Sequence, residues 1–146
     1  MWGQLELARG FSRVFEGQRM LERIYPPGAV NPRGPYTPAI RAGDFIFVSG
    51  QIPMDPATSQ FIHGDIKQET TRVLQNVELV LEGAGATRND IVRCGVFLKD
   101  GAHFAAMNEA YLAFFGEHRP ARTTVEVKFA SPDMLVEIDA VAYKPK

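Results

Sequence analysis

A β-strand is predicted by the stretch Pro120-Ala121-Arg122-Thr123-Thr124-Val125-Glu126-Val127-Lys128-Phe129, whose polar and apolar side chains alternate from Arg122 onward. The less polar face of that strand would hold Thr123, Val125, Val127 and Phe129. Pro120 has no N–H to give to a sheet, so it marks the start of the strand. Arg122 then stands on the polar face, at a strand end where loops converge. An arginine there either grips a carboxylate or is a solvated surface residue, and the stretch by itself leaves both interpretations open.

The bulk composition bounds the class of protein. The chain has 146 residues, of which 45% are hydrophobic, so it forms one domain that can bury a core. A formal net charge of -1 gives no broad basic surface, so no nucleic acid is expected as a partner, and small metabolites are favoured. Cys94 is the one cysteine, which rules out an internal disulfide and predicts a cytoplasmic location.

The amino-terminal end is set apart from this domain. Residues 1–21 are interpreted as an N-terminal extension, and residues 22–146 as the folded domain. Charged residues interrupt the apolar positions of the extension before a signal-peptide core forms, and no stretch predicts a membrane span. The extension is either a short amphipathic helix or a poorly ordered segment, and its sequence favours neither.

Periodicity predicts an α+β fold with two amphipathic helices covering one face of a sheet. The predicted strands are 20–25, 36–40, 45–48, 91–98, 122–129 and 135–143, and the predicted helices are 65–84 and 102–115. The helix-covered face would include Val92, Cys94, Val96 and Leu98 of one strand, and Phe104, Met107, Tyr111, Leu112 and Phe115 of the second helix. Cys94 is therefore interpreted as a core residue rather than a nucleophile.

The opposite face of the sheet combines apolar and charged side chains. Its predicted members are Phe45, Phe47, Ile91, Phe97, Val141 and Tyr143, beside Arg122, Glu126, Glu137 and Asp139. Such a face is too apolar to remain in water and too charged to be an ordinary core. We therefore expect it to pack against other copies of the chain, with sites between subunits.

Few residues are candidates for chemistry. No phosphate-binding glycine loop is present, and His63, His103 and His118 lack metal-ligand spacing, so neither a cofactor nor a metal is expected. The remaining candidates are Arg122 as an anion-binding group and Glu137 as a carboxylate on an inward strand. Asn108 shares a stripe with Met107 and is either a structural hydrogen-bonding residue or a ligand-facing one.

Five blocks in order resemble the signature of the RidA/YjgF family of reactive-intermediate deaminases, over about Ile24 to Tyr143. They are Gly34-Pro35-Tyr36, Ser49-Gly50-Gln51-Ile52-Pro53, Asn108-x-x-Tyr111-x-x-Phe114-Phe115, Pro120-Ala121-Arg122-Thr123 and Val136-Glu137-Ile138-Asp139-Ala140. The resemblance implies a chorismate-mutase-like mixed sheet. It also implies a homotrimer with three sites in the clefts between subunits.

The resemblance also implies roles for individual residues. Arg122 would pair with the carboxylate of a 2-imino or 2-enamino acid, and Glu137 would hold the attacking water. The same pocket would be lined by Tyr36, Ser49, the backbone of Gly50, Asn108 and Thr124. Tyr36 is expected to reach across from a neighbouring subunit. Thr124 occupies a position where many members of the family have cysteine, so no thiol is available there.

The function implied is hydrolysis of 2-iminopropanoate and 2-iminobutanoate to 2-keto acids and ammonia. One alternative is a pathway deaminase for a larger enamine such as aminomuconate or aminoacrylate. Another is a non-catalytic trimer that binds keto acids, although Glu137 favours catalysis. A ribonuclease role has been ascribed to some relatives, and the mild acidity of this chain disfavours it.

Overall fold

The computed structural model of the chain describes residues 21–146, and the predicted helix or extension over residues 1–20 lies outside them. The strands are β1 Leu21–Ile24, β2 Ala39–Ala42, β3 Phe45–Gln51, β4 Met54–Asp55, β5 Gln60–Phe61, β6 Ile91–Leu98, β7 Ala121–Glu126 and β8 Val136–Tyr143. The helices are α1 Ile66–Glu82 and α2 Phe104–Phe115. One 3-10 turn, Arg88–Asp90, precedes β6, and another, Gly101–His103, leads into α2.

The main sheet has six strands in the order β1-β2-β3-β8-β6-β7, and β4 and β5 form a separate hairpin. Its neighbouring strands are antiparallel except for β6 and β7, which are parallel. The sheet is therefore mixed, and β7 forms one of its edges. These features confirm the predicted α+β fold. Leu21 pairs with Ala42, so the sheet begins at the last residue assigned to the extension.

Helix α1 begins where its sequence predicts. The Asp65 carboxylate accepts from the backbone N–H of Gln68 at 2.8 Å, and the Gln68 side chain accepts from the backbone N–H of Asp65 at 2.9 Å. This reciprocal pair is a capping box, which closes the first turn of the helix. The core then forms between both helices and one face of the sheet, with Val73, Leu74, Val77, Val80, Leu81, Val96, Leu98, Met107 and Ile138 all buried.

We call the face of the sheet opposite the helices the open face. It carries four apolar side chains that are between 41% and 48% exposed in a single chain, namely Phe45, Phe47, Val125 and Tyr143. Phe45 and Tyr143 pack against each other across β3 and β8, with ring centroids 5.2 Å apart. The predicted two-sided character of the sheet is present, with the open face uncovered in the single chain.

Strand β6 departs from the predicted alternation. A register shift lies between Ile91 and Arg93 in the pairing with β8, which adds a residue to one strand and reverses the direction of the side chains before it. Ile91 is consequently in the core and Val92 is 43% exposed, the opposite of the prediction for both residues. Cys94 is fully buried as predicted, and burial raises the pKa of its thiol to about 11, so it is not a nucleophile.

Helix α2 also differs in its inward side. Met107, Tyr111 and Phe115 are buried as predicted, whereas Phe104 and Leu112 are exposed. Leu112 lies about 100° around the helix from Tyr111, which takes it outside the buried arc. Phe104 begins the helix at its exposed end.

Strand β2 starts later than predicted, at Ala39, because Pro38 has no N–H for the ladder. It continues through Arg41, and the turn that follows has Gly43 at a φ of +59°. Strand β3 extends through Ser49 and Gly50 to Gln51, with an irregularity in register between Val48 and Gln51.

Candidate active site

Glu137 and Gly50 define the first of two clusters of predicted site residues. A Cβ atom built on Gly50 would lie 3.0 Å from both Cδ and Oε2 of Glu137, closer than ordinary van der Waals contact. The irregular part of β3 therefore brings bare backbone against the carboxylate of β8. Glycine at position 50 is what permits this approach. We call Tyr36, Ser49, Gly50 and Glu137 the β3–β8 cluster.

Ser49 lies where β2 and β3 meet, and Tyr36 lies in the loop that precedes β2. The Ser49 hydroxyl donates to the Thr37 carbonyl oxygen at 2.6 Å, and the Ser49 N–H donates to the Pro38 carbonyl oxygen at 2.9 Å. Tyr36 precedes β2 and is 48% exposed, and its hydroxyl accepts from the Arg33 N–H at 3.2 Å. The serine is thus fixed by its neighbours, while the tyrosine ring remains available to a second molecule.

The electrostatic environment of Glu137 is unusual for a surface carboxylate. Burial raises its pKa above the ordinary glutamate value, and the charge of Asp139 raises it further. Phe97 is its partner on β6, and no cation in residues 21–146 forms an ion pair with it. A carboxylate in this setting is a better proton acceptor near neutral pH than a solvated one.

Arg122 belongs to a second cluster, formed by helix α2 and strand β7 together with Asn108 and Thr124. Its guanidinium carbon lies 4.8 Å from the ring centroid of Tyr111. Its Nη1 lies 3.9 Å from the sulfur of Met107. Asn108 is half-buried on α2, and the Thr124 hydroxyl is buried with no hydrogen-bond partner among the described residues. We call Asn108, Arg122 and Thr124 the α2–β7 cluster.

The placement of Arg122 corrects the sequence-based prediction. Arg122 was expected on the open face beside Glu137, but it pairs with Cys94 of β6, whose side chain is in the core on the helix side. Val125, whose side chain points to the opposite side of β7 from Arg122, lies on the open face. The less polar side of β7, which includes Val125, thus lies on the open face, and the polar side, which includes Arg122, contacts α2.

A single chain consequently keeps the two clusters apart. Arg122 pairs with Cys94, Glu137 pairs with Phe97, and two strand spacings separate β7 from β8. With about 3.3 Å per residue along a strand and about 4.8 Å between strands, the Cα atoms of Arg122 and Glu137 lie about 14 Å apart. Their side chains also point to opposite faces. One small substrate molecule cannot contact both groups of the same chain.

Comparison with known proteins identifies the family. Residues 27–144 match the family model described as endoribonuclease L-PSP. A RutC family protein of Pyrococcus horikoshii is 50% identical over 125 residues, which cover 86% of this chain and 99% of that protein. The YjgF gene product of E. coli, solved by crystallography, superimposes with a TM-score of 0.78 at 38% identity and covers 84% of this chain and 98% of that one. The chain belongs to the RidA/YjgF family.

A further relative carries the name of an activity. The 3-aminoacrylate deaminase RutC of Acinetobacter baylyi is 38% identical over 122 residues, which cover 84% of this chain and 97% of that protein. The family therefore includes enamine deaminases. No helix in residues 21–146 is long and apolar enough to cross a membrane. The same residues bring together no group of three His, Cys, Asp or Glu side chains that could hold a metal ion.

Three side chains around Arg122 were not predicted as site residues. Phe104, Met107 and Tyr111 had been assigned to the core stripe of α2, because they recur at spacings of three and four. The same spacing places all three beside the guanidinium. The signal was thus present in the sequence, but a helix stripe does not reveal that its neighbour is a charged strand residue.

Proposed function

We propose that this RidA/YjgF family member is a hydrolytic deaminase that converts small 2-imino and 2-enamino acids, such as 2-iminopropanoate and 2-iminobutanoate, to 2-keto acids and ammonia. We propose further that it acts in the cytoplasm as a homotrimer. The observation that carries the proposal is that two charged groups have no ion-pair partner among the described residues. They are the Arg122 guanidinium, which lies against aromatic side chains, and the half-buried Glu137 carboxylate, whose pKa is raised. Together they match the two ends of an imino acid.

The proposed mechanism needs only binding, orientation and proton transfer. Arg122 holds the substrate carboxylate through two parallel charge-assisted hydrogen bonds. Glu137 takes a proton from a water molecule as the water oxygen bonds to C2, and the electron pair of the C=N bond moves to nitrogen, which receives that proton from Glu137. Glu137 then carries the proton of the C2 hydroxyl to the amino nitrogen as the C–N bond breaks, and ammonia leaves with the keto acid as the second product. General acid–base help of this kind contributes about a hundred- to ten-thousand-fold.

The separation of the clusters supports a site shared by two subunits. Glu137 stands on the open face, whose exposed phenylalanine and tyrosine side chains favour contact with another copy. In the proposed trimer, Arg122 of one subunit and Glu137 of its neighbour face the same cleft. Tyr36, Ser49 and Gly50 accompany Glu137, and Asn108 and Thr124 accompany Arg122.

Activity is tested by generating 2-iminopropanoate with an amino-acid oxidase and following its capture by semicarbazide. Wild-type protein is expected to reduce capture, Arg122→Ala to have no effect on it, and Glu137→Gln to reduce it only weakly. Wild-type rates in either purified variant would refute the role of that residue.

The shared site is tested by mixing the two variants after joint unfolding and refolding. If each site takes Arg122 from one subunit and Glu137 from the next, about a quarter of the sites in a random one-to-one mixture are intact. Recovery of activity to about that fraction of wild type is expected. Absence of recovery, with mixed assemblies demonstrated by native mass spectrometry, would place both residues of a site in one chain.

A second candidate is deamination of a larger or differently placed enamine, and the 3-aminoacrylate deaminase relative favours it. Parallel assays with 3-aminoacrylate and aminomuconate separate this candidate from the first. Binding of 2-ketobutanoate without turnover of any of these substrates would instead identify a keto-acid-binding protein.

A further inference from the structure

Arg122 is surrounded by the side chains of one helix rather than by a carboxylate. The ring centroids of Tyr111 and Phe104 lie 4.8 Å and 5.7 Å from its guanidinium carbon. The sulfur of Met107 lies 3.9 Å from Nη1. No Asp or Glu in residues 21–146 forms an ion pair with Arg122. The guanidinium is thus placed by aromatic and thioether contacts, and its charge remains uncompensated.

Tyr111 is suited to fix the plane of this group. Arginine stacks on aromatic rings, and such a contact restricts a side chain that otherwise samples many rotamers. Tyr111 is only 7% exposed and is held in turn by Phe115, with ring centroids 4.7 Å apart. Phe104 is 47% exposed and lies further from the guanidinium, so its hold is weaker.

The hydroxyl of Tyr111 contributes little to this arrangement. It is buried and has no hydrogen-bond partner within the described part of the chain. The neighbouring Cys94 thiol interacts with it only weakly, because a thiol is a poor donor and acceptor. An unpaired buried hydroxyl lowers the stability of the fold. Because this hydroxyl has no partner, its removal leaves no other polar group without a hydrogen bond. The aromatic ring is therefore the part of Tyr111 that acts on Arg122.

We propose that Tyr111 is a positioning residue whose ring holds the Arg122 guanidinium in the orientation that receives the substrate carboxylate. The expected effect of Tyr111 on KM rests on the proposed function. The ordering of the Arg122 side chain by Tyr111 does not depend on turnover.

The structural content is tested by NMR on wild-type protein. The side-chain Nε–Hε resonance of Arg122, assigned by its loss in Arg122→Lys, is expected to show a ring-current shift and a rigid heteronuclear NOE. Both features should persist in Tyr111→Phe, whereas in Tyr111→Leu the shift should shrink to the contribution of the more distant Phe104 ring and the NOE should fall to that of a mobile side chain. A wild-type resonance with the shift and mobility of a free arginine would overturn the proposal without recourse to any variant.

The kinetic consequence is tested with the same variants in the imine assay. Tyr111→Leu is expected to raise KM about tenfold with kcat changed less than about twofold, as loss of a partly desolvated cation–π contact implies. Tyr111→Phe is expected to retain wild-type KM and kcat. Equal losses in both variants would assign the effect to the hydroxyl and refute the proposal.

The controls separate this proposal from the proposed function. Calorimetric titration with 2-ketobutanoate reports carboxylate binding without turnover, and circular dichroism confirms folding of each variant. If wild type neither hydrolyses imines nor binds the keto acid, the proposed function fails, while the NMR result still decides whether Tyr111 orders Arg122. If wild type is active and Tyr111→Leu binds the keto acid equally well, the positioning role fails alone.

Discussion

Substitution of Gly50 by alanine tests the geometry of Glu137 directly. The new Cβ would lie 3.0 Å from Cδ and Oε2 of Glu137, and 3.2 Å from its Cγ. Ordinary contact begins at about 3.4 Å, so the carboxylate must move by a few tenths of an ångström. Since a misplacement of about 1 Å can cost about a hundredfold in rate, we expect kcat/KM for 2-iminopropanoate to fall about tenfold.

The stability of this variant is expected to change little. The φ of Gly50 is not positive, so alanine meets no backbone strain there. Alanine also restricts the unfolded chain, which stabilises by about 0.4–1 kcal/mol and offsets part of the crowding. The free energy of unfolding should therefore remain within about 1 kcal/mol of wild type while activity falls.

A double-mutant cycle identifies the residue through which Gly50→Ala acts. If the added methyl works by displacing the Glu137 carboxylate, its penalty should shrink toward zero in a Glu137→Gln background. The semicarbazide assay measures all four kcat/KM values, and thermal unfolding measures stability alongside. Unchanged kcat/KM in Gly50→Ala, or an equal penalty in both backgrounds, would refute the assigned geometry.

Three further predictions follow from other parts of the structure. The kcat/KM for imines should fall as the pH drops through the raised pKa of Glu137. Asp139→Asn should shift this acidic limb of the pH–rate profile to lower pH, because it removes one cause of the raised pKa of Glu137. An acidic limb at the same pH in both proteins contradicts this. Phe47→Asp should dissociate the assembly in sedimentation experiments, whereas Leu112→Asp, at a similarly exposed position on α2, should leave it intact. The buried Asn76 amide donates to the carbonyl oxygens of Ile52 and Met54 at 3.0 and 2.8 Å. Because both carbonyls would lose their partner, Asn76→Ala should lower the free energy of unfolding by about 2–3 kcal/mol in denaturant titrations.

Local sequence signals located the elements of this fold well. The periodicity that predicted a helix over residues 65–84 located α1, which spans Ile66–Glu82, and strand β6 spans the predicted residues 91–98. Each of these features depends on residues a few positions apart. The same kind of signal failed at Val92, since a register shift with β8 is a property of two strands and leaves the alternation of one strand unchanged.

The face on which Arg122 lies could not be predicted for a related reason. Alternation separates the two sides of a strand but does not say which side meets the helices. In an interior strand, the apolar side normally faces the core. Strand β7 is an edge strand whose Val125 faces the uncovered side of the sheet, so the usual assignment is reversed.

In the proposed trimer, the position of Glu137 would couple subunit association to the pKa of its carboxyl group. In a single chain this carboxylate is already half-buried, and burial is the larger cause of its raised pKa. Its partner on β6 is Phe97, and Val125 of β7 is the partner of Phe97 on the same open face. Covering that face with another subunit removes further water from Glu137 and disfavours its charged form more strongly. In the proposed trimer, the Arg122 guanidinium of the neighbouring chain would act in the opposite direction, because a nearby positive charge lowers a carboxyl pKa, until the substrate carboxylate pairs with that guanidinium.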